Sequence, residues 1–145
     1  MKLLYRIILI GSCFSLLAPR MVRAEVPEVV LQTIAMESAG ESLEGQSWVA
    51  KTIQSRAERG KTSPQQVVLR PKQFSCWNDR QGALKWLKRH YSAKVRQSAI
   101  KAWNTAYSLP LTPTHYHAAQ VHPYWAKGKT PCVVIGNHLF YEGIK

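Results

Sequence analysis

Seven glutamates and one aspartate are the only carboxylates in a chain of 145 residues, so each can be weighed in turn as a proton donor. Glu25 and Glu28 open a helical pattern and Glu44 falls in the first turn of the next, where negative charge complements the helix dipole. Glu58 stands between Arg56 and Arg59, Glu142 lies near the C-terminus, and Asp79 sits in a Cys-Trp-Asn-Asp loop. Glu37 differs. It follows the apolar Ile34-Ala35-Met36 and precedes the turn Ser38-Ala39-Gly40, so it leaves the end of a helix packed on one side. A carboxyl placed so is partly desolvated, which suits general-acid work. Glu41 lies beyond Gly40, where the helix has ended and solvent is expected to be nearer.

The histidines offer a different chemistry. His115 and His117 are two apart in a strand-like segment, so their side chains share one face. With His138 or Glu37 they could hold zinc, as in a metal-dependent amidase or peptidase. No HExxH accompanies them, and neither a metal nor a cofactor is expected.

These side chains need a frame. Apolar residues at helical spacing predict helices over Val26–Met36, Leu43–Arg59 (capped by Ser42, stopped by Gly60) and Pro64–Leu69. The longest helical signal runs from Ala83 to Tyr107, with Val95, Ala99, Ala102, Trp103 and Ala106 as its core stripe. From Leu109 prolines become frequent, and Thr114–Ala119 and Cys132–Tyr141 read as strands of a small antiparallel sheet. Helices first and a sheet later make an α+β single domain.

Lys and Arg number 20 against 8 acids, a formal net charge of +12, with 46% hydrophobic residues. The chain is too apolar to be disordered and too short for two ordinary domains. Its charge favours polyanionic partners. Lys2 and Arg6, an apolar run over Ile7–Ala18, Pro19 and the small residues Val22 and Ala24 read as a signal peptide over residues 1–24, leaving a domain over 25–145. Twelve apolar residues are too few to span a bilayer as a helix, so no stable membrane insertion is expected after cleavage. An exported chain, in the periplasm, outside the cell or at the wall, is unsuited to nucleic acid and meets anionic envelope polymers instead. A monomer is expected. Loss of Cys13 with the leader leaves Cys76 and Cys132, an even pair in an oxidising compartment, from which a disulfide worth ~4 kcal/mol is expected.

Four ordered blocks resemble the SleB/CwlJ cell-wall hydrolase family. Glu37-Ser38-Ala39-Gly40-Glu41-Ser42-Leu43-Glu44-Gly45-Gln46 is similar to its E-A-x-G-E-x-x-x-G-Q signature, continuing to Arg56, where Ser55 replaces the usual Asn. Pro71-Lys72-Gln73-Phe74-Ser75-Cys76-Trp77, Thr114-His115-Tyr116-His117-Ala118 with Pro123-Tyr124-Trp125-Ala126, and Ile135–Tyr141 resemble its later segments. The resemblance implies a lysozyme-like or lytic-transglycosylase-like domain acting on peptidoglycan glycan strands, with Glu37 as catalytic acid and Glu41 as a candidate second carboxylate. It implies a sugar groove lined by Ser75, His115, Tyr116 and His117, with Trp77 and Trp125 either stacking on sugar rings or packing in the core. One carboxylate suffices for a lytic transglycosylase, whereas an ordinary glycosidase uses two, and for that route Glu41 or Asp79 is the candidate second carboxylate. A wall-binding protein that has lost its chemistry is the third reading, against which the presence of Glu37 argues.

Overall fold

The computed structural model describes residues 25–144; the leader read over 1–24 lies outside them. Five helices come first: α1 (Glu28–Glu37), α2 (Leu43–Arg59), α3 (Pro64–Leu69), α4 (Arg80–His90) and α5 (Ala93–Ala106). Strands β1 (His115–Ala118), β2 (Val133–Ile135) and β3 (His138–Tyr141) follow, and short 3-10 turns lie at Ser75–Trp77 and Tyr124–Ala126. The sheet is antiparallel in the order β1-β3-β2, with Tyr116 opposite Phe140 and Ala118 opposite His138. The architecture is the expected α+β. No helix among the described residues is long and apolar enough to cross a membrane.

α2 is the central element, and its composition says why. Small residues Gly45, Ser47, Ala50, Ser55 and Ala57 let neighbours approach on several sides, so it is buried almost all round. Ser47 and Thr52 satisfy their hydroxyls on the Leu43 and Trp48 carbonyls, which makes their burial cheap. One flank, with Ala50, Ile53 and Ala57, packs with Val30 and Ile34 of α1, Val68 of α3 and Ala99, Ala102 and Trp103 of α5. The other, with Trp48 and Val49, packs on Phe140 of β3. Val49 therefore serves a different cluster from Ile53 and Ala57.

The helix expected over Ala83–Tyr107 is two helices. The first begins earlier, where Asp79 accepts the Gly82 N–H at 3.0 Å. The second begins at Ser92, whose hydroxyl accepts the Val95 N–H at 3.3 Å. Tyr91, half-buried against the helical core, occupies the corner between them. A serine cap and a half-buried tyrosine thus override a continuous propensity. The expected cap on α2 does form, Ser42 accepting the Gly45 N–H, and at the start of α3 Ser63 and Gln66 make a reciprocal capping box.

Candidate active site

Glu37 is the last residue of α1, half-buried, and three donors from two other elements converge on its carboxylate. Its Oε1 accepts the Cys76 backbone N–H at 2.8 Å and the Ser75 hydroxyl at 3.2 Å. Its Oε2 accepts the Tyr116 hydroxyl at 2.8 Å. Burial and the adjacent Glu37 charge hold the Tyr116 phenol well above its ordinary range, so it serves as a donor. The same causes push the Cys76 thiol up.

Arg56, one turn from the end of α2, ties this arrangement together. Its Nε donates to the Thr114 carbonyl at 2.6 Å and its Nη1 to that of Gln73 at 3.3 Å. Its guanidinium carbon lies 5.1 Å from the Phe74 ring centroid. Burial lowers its pKa, and Tyr116 and Glu37 act the other way. One side chain thereby fixes both the approach to β1 and the loop that carries Ser75. The resulting groove, about 610 Å³, is lined by Glu37, Arg56, Lys72, Ser75, Tyr116, His117 and His138 among others. Glu37 is the only carboxylate among its lining residues.

Glu41 is elsewhere and is less exposed than its place beyond the helix suggested, with 12% of its side chain open to solvent. It folds under the β2–β3 turn, where its Oε1 accepts the Asn137 N–H at 3.2 Å. His138 Nδ1 lies 3.4 Å from the same oxygen, yet lacks hydrogen-bond geometry to it or to any other described group. That contact is an ion pair only when His138 is protonated. The two glycines around Glu41 make the fit possible. A Cβ on Gly45 would come within 3.1 Å of Glu41 Oε2, and one on Gly136 (φ +53°) would collide with it. The Gln46 side chain closes the arrangement, donating to the Glu41 carbonyl at 3.2 Å and accepting from Ser98 at 2.7 Å. The G-E-x-x-x-G-Q part of the signature is thus a clasp between α2 and a hairpin. Asp79, the other acid that could pair with Glu37, is occupied as the α4 cap.

The histidine strand alternates as strands must. Tyr116 points to Glu37, while His115 and His117 pack on Trp125, at 5.0 and 5.6 Å between centroids. Tyr141 completes this aromatic stack. His117 Nδ1 meets the Ala118 carbonyl at 2.9 Å, and that oxygen can only accept, so the proton sits on Nδ1. In the neutral ring its Nε2, 3.0 Å from the Tyr141 hydroxyl, is then the acceptor. Both ring nitrogens are engaged, and no group of three or more His, Cys, Asp or Glu among the described residues is placed to hold a metal ion. His115 lies at a neighbouring cavity rather than in the Glu37 groove; burial, Arg56 and Arg59 lower its pKa.

The disulfide expectation is corrected. Cys76 and Cys132 are free thiols, not a disulfide. Cys76 lies against the helical core beside Glu37, whereas Cys132 packs with the Trp48–Phe140 cluster and reaches the Phe140 carbonyl. Neither tryptophan lines the Glu37 groove. Trp77 packs on the helical core and donates its indole N–H to Thr33 Oγ1 at 2.9 Å, and Trp125 belongs to the histidine stack. Of the residues singled out from sequence, Glu37, Ser75, Tyr116 and His117 do meet in the groove. Arg56 joins them unforeseen, and so does His138, which the sequence offered only as a metal ligand. Arg56 carried a signal, as a lone cation between Ser55 and Ala57, both of which prove buried.

The Cell Wall Hydrolase family model matches residues 40–141. This chain belongs to that family. The match takes in α2 through β3, including Arg56, Ser75, Tyr116, His117 and His138 of the groove, and begins just after Glu37. As a cell wall hydrolase the protein acts on peptidoglycan. Comparisons with curated proteins and with solved structures each find no match.

Proposed function

We propose that this cell wall hydrolase cuts the glycan strand between N-acetylmuramic acid and N-acetylglucosamine as a lytic transglycosylase, with Glu37 as its single acid and base. The observation that carries the reading is the composition of the groove: one carboxylate, held by three donors, with Glu41 and Asp79 engaged elsewhere. Hydrolysis through a second carboxylate would need one positioned to activate water or attack C1. A transglycosylase does not. Protonated Glu37 gives its proton to the glycosidic oxygen as the bond to C1 of the muramic acid breaks. The carboxylate then takes the proton of that sugar's own C6 hydroxyl, and O6 bonds to C1. The tethered hydroxyl replaces water, so no second group is needed to position a nucleophile. The products are a free N-acetylglucosamine hydroxyl and a 1,6-anhydro end.

Within this reading Ser75, Tyr116 and the Cys76 amide hold the carboxyl in place, while His117 and His138 form part of the wall along which the sugars lie. The protein works as an exported monomer without a cofactor, and residues 25–145 form the catalytic domain. The zinc amidase reading is less well supported, because His117 has both nitrogens committed within the fold. A binding-only role would leave a carboxylate with three converging donors without a purpose.

Glu37→Gln keeps shape but cannot exchange a proton. Turnover of purified peptidoglycan is expected to fall by the ~10²–10⁴-fold that acid–base catalysis supplies, with melting temperature and wall binding retained. Mass spectrometry of the wild-type digest should show anhydro ends. Reducing ends would convert the assignment to hydrolysis, and freed peptides would remove the glycosidase reading altogether.

A further inference from the structure

Next to the groove, where the end of α2, the end of α3 and the start of β1 meet, lies a cavity of about 310 Å³. Arg56, Arg59 and Arg70 line it together with Gln73, Thr114 and His115, and no carboxylate side chain among the described residues does. None of the three arginines forms an ion pair: those among the described residues are Arg96–Glu28 and His138–Glu41. Arg59 donates to the Ile144 carbonyl at 3.3 Å and Arg56 to the Thr114 and Gln73 carbonyls, contacts that orient the forks without neutralising them. His115 shares the cavity wall, and its pKa is lowered by burial first and then by Arg56 and Arg59. Gathering three guanidinium groups around one space is unfavourable unless an anion joins them, and their planar forks match a carboxylate.

Position selects the anion. Arg56 and Gln73 line the cavity and the Glu37 groove alike, so a charge bound in the first is an appendage of a sugar bound in the second. Of the two peptidoglycan sugars, only N-acetylmuramic acid has such an appendage: a lactyl ether carrying a short peptide with free carboxylates. We propose that the arginine cavity binds a carboxylate of this stem peptide, so that the enzyme prefers peptide-bearing strands to bare glycan. The inference rests on the reading of the Glu37 groove as the glycan site. A phosphodiester wall polymer would present the same oxyanion chemistry and is separated by the test.

The probe is a soluble muramyl peptide with free carboxylates, titrated calorimetrically into the protein beside the same compound with its carboxylates amidated. The free acid should bind at least about tenfold more tightly, as expected of one charge-assisted hydrogen bond. The Arg59→Gln/Arg70→Gln variant should remove that difference; both side chains are exposed, and thermal melts check its fold. On walls, the variant's kcat/KM for peptide-bearing strands should drop to that of the wild type on strands stripped of peptide. Equal affinity for acid and amide, or a difference surviving in the variant, overturns the proposal. So does inorganic phosphate that binds as tightly as the muramyl peptide, which would assign the site to phosphate. The glycan reading fails separately: if Glu37→Gln still cuts while acid and amide are discriminated, the groove chemistry is wrong and the cavity stands.

Discussion

Three hydrogen bonds decide what the Glu37 carboxyl can do, and they are not equivalent. Ser75 and the Cys76 amide share Oε1, whereas Tyr116 alone holds Oε2. Because its phenol is held well above the usual range by burial first and Glu37 second, Tyr116 donates throughout the physiological pH range. Tyr116→Phe should therefore lower kcat about tenfold, the order of one lost charge-assisted hydrogen bond, with KM little changed. A rise in KM alone would place Tyr116 on the sugar rather than on the acid. His115 gives a prediction in pH. Burial, then Arg56 and Arg59, lower its folded pKa, so below the ordinary value near ~6.5 the unfolded chain binds a proton that the native one refuses. Its contribution to stability is present in full above that value and is lost as pH falls toward the depressed one. His115→Gln should flatten the fall in urea midpoint between neutral pH and pH 5, and an unaltered slope would show that His115 does not titrate this way.

At the scale of elements, the site depends on joints between segments more than on the segments themselves. The β2–β3 turn closes on the Glu41 carboxylate, and Gly136 there combines a left-handed φ with the absence of a Cβ. Gly136→Ala should cost ~1–3 kcal/mol through strain and displacement of Glu41, read as a melting temperature lower by several degrees. Glu41→Gln should likewise lower the melting temperature more than it lowers kcat per folded molecule. A stable but inactive Glu41→Gln would restore Glu41 to the chemistry. These joints mark the limit of what the sequence discloses. Glu37 was legible because a helix end after an apolar run is a local feature, and Tyr116 and Ser75 because whole motifs carried them. The break before Ser92 was hidden by an apolar stripe counted only from Val95 onward, although a serine three residues ahead of that valine is itself a helix-start signal. The roles of Arg56, Gly136 and the two thiols depend on which distant segments meet, and no spacing along the chain encodes that. An even number of cysteines says nothing about whether their clusters coincide, and here they do not.

At the scale of the whole molecule, net charge is the property that bears on adsorption to an anionic wall. The formal +12 falls to +8 without Lys2, Arg6, Arg20 and Arg23, still a large excess for one domain. α4 concentrates part of it: Arg80, Lys85, Lys88 and Arg89 are exposed, and no acid lies in that helix. Attraction of this kind extends over a screening length of ~10 Å at 0.1 M salt and only ~3 Å at 1 M. Adsorption to purified wall should therefore weaken steeply with added salt, whereas cleavage of short soluble strands, governed by contacts inside the groove, should change much less. Replacing Lys85 and Lys88 with Glu reverses two charges on a helix whose only buried residue is Ala83. The variant should shift the salt dependence of wall adsorption to lower concentrations without altering the melting temperature. Both measurements belong on one preparation, since adsorption and turnover then differ only in the length of the substrate. Salt-independent adsorption would mean that the wall is held by the groove and the arginine cavity rather than by the field of the molecule. In that case Arg59→Gln/Arg70→Gln, not the α4 variant, should release the protein from the wall.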